Sequence, residues 1–174
     1  ENTREPEDRT LDLKVQIAVN EGGARAVEAL IRRMGIDAVE TAVDDLLAYT
    51  TRRLRNRIAR LRPGRYGFTS WMDDDGLGGP RVPIVAAVTV RGARLHLDMT
   101  GTGPQSRGGF NVMPSGVLAT VGYAVKALLD PGLLPNSGLF QAIDLTVPEG
   151  TILNPRFPGA VGARTTTCQK LAGA

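Results

Sequence analysis

The chain has almost no cysteine, almost no histidine, few aromatic residues and no long apolar run. One cysteine in 174 residues, Cys168, excludes an internal disulfide framework and fits a reducing, cytoplasmic setting. A single histidine, His96, beside that single cysteine argues against a zinc site built from this chain alone. No apolar stretch approaches the roughly 20 residues needed to span a bilayer, so no membrane partner is implied. The opening ENTREPEDRT is charged and has no apolar h-region, so it is not expected to be a secretory signal. Phosphate-binding signatures are missing too: neither G-x-x-x-x-G-K-[ST] nor G-x-G-x-x-G after a strand occurs.

What is present is the composition of an ordinary soluble globular protein, 42% hydrophobic and 22% charged, long enough for one domain or two small ones. The net charge is only +3. Its basic part is concentrated, with Arg52, Arg53, Arg55, Arg57, Arg60, Arg62 and Arg65 close together. Such a run can neutralise nucleic-acid phosphates. No aromatic residues interleave it for base stacking, however, and arginine stems covering apolar neighbours on a solvated helix face account for it better. No nucleic-acid partner is expected.

The periodicity predicts an α+β fold: N-terminal helices, then an antiparallel β meander with one inserted helix. Residues 1–62 read as a helical segment and 63–174 as a mixed α/β segment of the same domain. Leu11, Val15, Ala18 and Val19 recur at helical spacing and Asn20-Glu21-Gly22-Gly23 is expected to stop that helix. A second short helix runs from Ala24 to Met34. Asp37 with Glu40 three residues on forms a capping-box pattern for a third, long helix whose stripe is Val39, Val43, Leu46, Leu47, Leu54, Ile58 and Leu61. Its acidic residues lie early and its arginines late, which suits the helix dipole. Pro63-Gly64 ends it.

Beyond that the period changes to two. Tyr66, Phe68, Ser70 and Met72 alternate with Arg65, Gly67, Thr69 and Trp71 as a strand. The acidic turn Asp73-Asp74-Asp75-Gly76 lacks the alternating ligands and late glutamate of a calcium loop. Residues 82–90 and 94–100 form a predicted hairpin around Arg91-Gly92-Ala93, with Leu95, Leu97 and Met99 on one face and Arg94, His96, Asp98 and Thr100 on the other. A helix is predicted over 114–129, a strand over 141–147 and the start of a helix at Arg164–Leu171.

The stretch LHLDMTGTGPQSRGGFN, 95–111, is where chemistry is most readily imagined. Asp98 and Thr100 leave one strand face, and Gly101, Gly103, Gly108 and Gly109 allow the chain to fold back so that Gln105 and Asn111 approach them. A polar cleft is one reading. The other is a turn in which Asp98 and Asn111 bond local backbone. His96 and Asp98, about 7 Å apart on that face, have the pattern of a base and its orienting carboxylate, though a lone histidine there is more often simply exposed.

Several segments together resemble hydantoinase B proteins. They are Asn2-x-Arg4-x-Pro6, Asp12-Leu13-x-x-Gln16-x-Ala18-x-Asn20, Pro63-Gly64-x-Tyr66 and Asp73-x-Asp75-Gly76. Asp98-x-Thr100-Gly101-Thr102-x-x-Gln105, Gly109-x-Asn111, Pro135-Asn136-x-Gly138, Pro148-Glu149-Gly150, Asn154-Pro155 and Pro158-x-Ala160-Val161 follow in the family's order. Met99 departs from the aromatic residue that often follows the aspartate, and Arg62-Pro63-Gly64-Arg65-Tyr66 departs from Pro-Asp-Gly-x-Tyr.

The resemblance implies an internal fragment of a subunit of an ATP-dependent hydrolase of cyclic amides, of the N-methylhydantoin or 5-oxoproline type. The family also holds subunits of acetone and acetophenone carboxylases, so ATP-dependent ketone carboxylation is the alternative. A hydantoinase A-like partner would bind ATP and magnesium and activate the substrate by phosphorylation, within a hetero-oligomer. This segment itself would bind no cofactor. The family's His- and Asp-rich N-D-P-x-x-G-G-x-H segment, which looks metal-binding in the carboxylases, has no counterpart here, and a divalent metal would belong to that upstream part. The resemblance places Asp98 and Thr100 as catalytic and Gln105 and Asn111 as substrate-binding candidates. A non-catalytic structural domain and a basic nucleic-acid module are the remaining readings.

Overall fold

A computed structural model describes residues 5–174, so Asn2 and Arg4 of the first motif lie outside the described residues. The chain divides into two compact units, Glu1–Leu46 and Leu47–Ala174. The division falls within the second helix, whereas the sequence suggests a change of character at the end of that helix.

In the first unit α1 is one continuous helix, Pro6–Met34. The predicted stop at Asn20–Gly23 does not occur. Pro6 opens the helix, Glu7 and Asp8 meet its N-terminal dipole, and Arg32 and Arg33 its C-terminal one. Glu21 and Arg25, with 4.0 Å between charged atoms, straddle the glycine pair, and Glu28–Arg32 follows at 3.6 Å. The two glycines cost about 1 kcal/mol each against alanine, which a helix of 29 residues tolerates. Gly35, at φ 85°, breaks the helix, its N–H bonding the Ile31 carbonyl. The next helix, α2, is Ile36–Ile58, so Asp37 lies inside its first turn rather than capping it.

The second unit begins where α2 starts to bury residues. Thr50, Leu54 and Ile58, four apart, are its buried positions, while Val43 and Leu46 of the expected stripe are exposed. Four strands follow, β1 (Gly64–Met72), β2 (Val82–Arg91), β3 (Arg94–Asp98) and β4 (Ile143–Thr146), in spatial order β1-β2-β3-β4. Between β3 and β4 come α3 (Pro114–Leu129) and a 3-10 turn, Ser137–Ala142; α4 (Arg164–Ala172) ends the fold.

The fold is α+β, as its periodicity indicates, and β1/β2 and β2/β3 are antiparallel. The last pair corrects the all-antiparallel meander: β3 and β4 are parallel. A parallel neighbour needs a crossover rather than a tight turn, and α3 with the 3-10 turn provides it. Ile84, Ala86, Leu95, Leu97 and Met99 line the core face of the sheet, against Leu54, Ile58, Val117, Val121 and Leu139.

The Pro135-Asn136-x-Gly138 motif ties this crossover to α2. The Asn136 amide donates to Thr50 Oγ1 at 2.8 Å and accepts from the Gly138 N–H at 2.9 Å. Thr51 Oγ1 donates to the Gly138 carbonyl at 2.8 Å. A Cβ at Gly138 would run into the Leu47 carbonyl oxygen, so glycine is required by the close approach of two backbones.

The arginine cluster is partly consumed in the same region. Arg53 holds Asp130 in a two-pronged pair, 2.6 Å from Nε to Oδ2 and 2.7 Å from Nη2 to Oδ1, and Arg57 Nε adds a contact at 3.2 Å. Hydrogen bonding from Arg53 depresses the Asp130 carboxyl to about 2. Because its folded value lies below the unfolded one, the unfolded chain takes up a proton first as pH falls. The stabilisation is complete above the ordinary carboxylate range and is lost between about pH 4 and pH 2. Asp130→Asn should therefore flatten the fall of melting temperature across that window. An unchanged acid limb in the variant would remove Asp130 from the account.

Candidate functional site

The register assembles a polar row across the face of the sheet opposite the core: Arg65 pairs with Thr89, Thr89 with His96, and His96 with Asp144. Arg94 and Asp144 form a two-pronged ion pair at 3.0 and 2.6 Å, and Arg94 also donates to the Gln141 carbonyl at 2.9 Å. Arg94 draws the Asp144 carboxyl below its ordinary value. An open hollow of about 570 Å³ lies over Thr89, Arg91, Arg94, His96 and Asp144. Asp98 is not one of its walls, but stands two residues from His96 on the same side of β3.

Asp98 ends β3 partly exposed. Its Oδ1 accepts from the Thr100 N–H at 3.0 Å, and its Oδ2 lies 3.9 Å from Arg65 Nη2. The Thr100 hydroxyl first, then its backbone amide, hold the carboxyl below its ordinary value, with the charges of Arg65 and His96 adding to the effect. Such a group is ionised at neutral pH and is a weak base. It is suited to accepting a hydrogen bond from a substrate N–H or to balancing a positive charge. Thr100 beside it is exposed.

The other two candidates face elsewhere. Gln105 Oε1 accepts from the Arg156 N–H at 2.8 Å, and its Nε2 donates to the Arg156 carbonyl at 3.5 Å. Asn111 is wholly buried. Its Oδ1 accepts from the Ser106 N–H at 2.7 Å, while its Nδ2 donates to the carbonyls of Ser106 and Ala160 at 2.9 Å and of Gly108 at 3.3 Å. The structure therefore brings Asp98 and Thr100 together, and commits Gln105 to the backbone of Arg156 and Asn111 to the backbone of its own loop and of Ala160.

Three segments meet at that loop. Ser106 Oγ donates to the Asp75 carbonyl at 2.7 Å and accepts from the Gly108 N–H at 2.8 Å. Thr102 Oγ1 bonds the Val85 backbone at 3.1 and 3.3 Å. The Gln105 N–H donates to the Gly150 carbonyl, the Ile152 N–H to the Gly103 carbonyl and the Val112 N–H to the Ile152 carbonyl. A Cβ on Gly108 would lie 2.5 Å from the Asp75 carbonyl oxygen, so glycine admits the acidic turn. In that turn Asp75 Oδ1 accepts from the N–H groups of Leu77 and Gly79, both at 2.9 Å. Those amides, Gly79 foremost, lower the Asp75 carboxyl. Its carboxylate is thus occupied by its own loop. Among the described residues no three His, Cys, Asp or Glu side chains come together as a metal-binding group. Neither Ser106 nor Thr102 was a candidate site residue from sequence; Thr102 is a position of the Asp98-x-Thr100-Gly101-Thr102-x-x-Gln105 motif, while only its place inside a glycine-rich run hinted at Ser106.

This architecture and the motifs it gathers define a class. The family model for hydantoinase B/oxoprolinase matches residues 1–174, and the chain belongs to that family. It is 34% identical over 177 residues to a protein assigned as one of the subunits of a D-/L-hydantoinase in Pseudomonas sp. (strain NS671), covering 94% of this chain and 30% of that relative. It is 29% identical over 183 residues to the 5-oxoprolinase of Dictyostelium discoideum, covering 98% of this chain and 14% of that relative. In structure, the ATP-dependent caprolactamase from Pseudomonas jessenii superposes with a TM-score of 0.81 at 23% identity, over 98% of this chain and 29% of that one. Nucleotide-free acetone carboxylase gives a TM-score of 0.70 at 18% identity, over 81% of this chain and 20% of that one. These two show a shared fold. The chain thus spans less than a third of the length of each of these relatives. No helix among the described residues is long and apolar enough to cross a membrane.

Proposed function

We propose that this chain is part of a hydantoinase B-like subunit that hydrolyses cyclic amides at the expense of ATP, together with a hydantoinase A-like subunit that binds the nucleotide. The family match over the whole chain carries this reading, and the relatives named for hydantoinase and oxoprolinase activity point to the substrate class. In it, the ionised Asp98 accepts a hydrogen bond from the ring N–H of the substrate or its activated form. Thr100 fixes that carboxylate and offers a hydroxyl at the same edge. Gln105 and Asn111 act one step removed, by holding the shape of the loop that follows. ATP and magnesium sit on the partner, which agrees with the lack of a phosphate-binding loop in this sequence. Ketone carboxylation is the second reading, favoured by the superposition on acetone carboxylase.

The deciding measurement is ATP hydrolysis by the family-length subunit co-purified with its nucleotide-binding partner. Stimulation by N-methylhydantoin or 5-oxoproline, with ring-opened product, is the expected result. Stimulation by a ketone with bicarbonate would transfer the protein to the carboxylases. Absence of any coupled turnover would sink both.

A further inference from the structure

We propose that the outer edge of β1, with the apolar groove beside it, is the seat of a fifth β-strand supplied by the part of a family-length subunit outside these 174 residues. The register places Tyr66 and Phe68 opposite Val88 and Ala86, on the core face of the sheet. Yet Phe68 is 57% exposed, while its partner Ala86 is only 7% exposed. The core face therefore continues past β2 onto β1, where α4 packs against the strand and Met72 is buried but Tyr66 and Phe68 stay exposed. A groove of about 360 Å³ opens on the same face, between the sheet and α3, with Leu61, Tyr66, Val88, Leu97, Val125 and Leu128 among its walls. Leu128, on the rim, is 81% exposed.

The edge itself indicates what fits. β1 is a nine-residue strand at the end of the sheet order. Long exposed edges are normally guarded by proline, by bulges or by several charges. GRYGFTSWM has no proline, pairs with β2 without a bulge, and has one charge, Arg65, which the register puts on the opposite face. A helix could cover the apolar side chains but would leave the outward N–H and C=O groups of β1 unpaired. Another strand pairs those groups and widens the apolar face to which Phe68 belongs. Its residues would alternate, apolar toward the groove and polar toward the Arg65 side. The match to the hydantoinase relative covers 30% of that protein, so most of a subunit of that length remains to provide the strand.

Hydrogen exchange on the family-length subunit tests this. Residues 64–72 are expected to exchange as slowly as the central strand 82–91, and to do so at every protein concentration. Phe68→Asp should speed exchange over 64–72 by about tenfold or more and lower the melting temperature, whereas Thr69→Asp, on the polar face, should do neither. Exchange over 64–72 about a hundredfold faster than over 82–91 in the wild type would overturn the proposal, whatever the variants do. Protection that vanishes on dilution as a dimer dissociates would assign the edge to a second copy instead. A coding sequence confined to these 174 residues would also end it.

Discussion

Asn111→Ala should come close to unfolding the second unit. Asn111 is wholly buried, and its amide is the partner of the Ser106 N–H and of the Ser106 and Ala160 carbonyls. Alanine leaves those backbone groups in place without a partner, and each buried group so stranded costs about 1–3 kcal/mol. A total loss of about 3–9 kcal/mol follows, a large share of the roughly 5–15 kcal/mol that a domain has. A fall of roughly 10–30 °C in melting temperature would accompany it for a protein of this size. A denaturant midpoint within error of the wild type would show that water or a loop shift replaces the amide, and would remove Asn111 as the brace.

Asp98→Asn should behave in the opposite way. The substituted side chain keeps an oxygen to accept from the Thr100 N–H, and the lost ion pair with Arg65 is long, at 3.9 Å, with Arg65 mostly exposed. Exposed pairs contribute little, so the melting temperature of the family-length subunit should barely move. If the charge of Asp98 orients and stabilises the reacting amide, turnover with the partner and ATP should fall by about 10²–10⁴-fold. A rise in KM with kcat intact would reduce its role to uniform binding. Full activity in a stable variant would leave Asp98 as a turn residue and nothing more.

Much of the fold could be read from the chain because its alternations are regular. Leu95, Leu97 and Met99 fall on the buried face, and Arg94, His96 and Asp98 on the other, as a period of two requires. What escaped was decided by distant partners. The glycine pair in α1 looks like a stop in isolation, but two glycines cost only about 1 kcal/mol each, and the helix of 29 residues runs through them. The direction of β4 depends on where α3 leaves the chain, which no local pattern encodes. At the candidate site, the glycines of 101–109 were legible as unusual but not as points of close approach. That Gly108 makes room for the Asp75 carbonyl becomes visible only when two loops far apart in sequence meet. For the same reason the sequence left Asn111 with two readings, a ligand-binding amide or a side chain bonded to local backbone.

The parallel pairing of β3 with β4 also bears on how the protein is made. The β2–β3 hairpin can close as soon as its own residues have left the ribosome, since its contacts are local. β3 then waits with one side open until α3 and the 3-10 turn have been synthesised and have brought Ile143–Thr146 alongside. During that interval the nascent chain presents an apolar strand, Leu95 to Met99, to whatever is near. Synthesis slowed between Pro114 and Ala142 would lengthen the exposure and raise aggregation, while slowing after Thr146 would have no such effect.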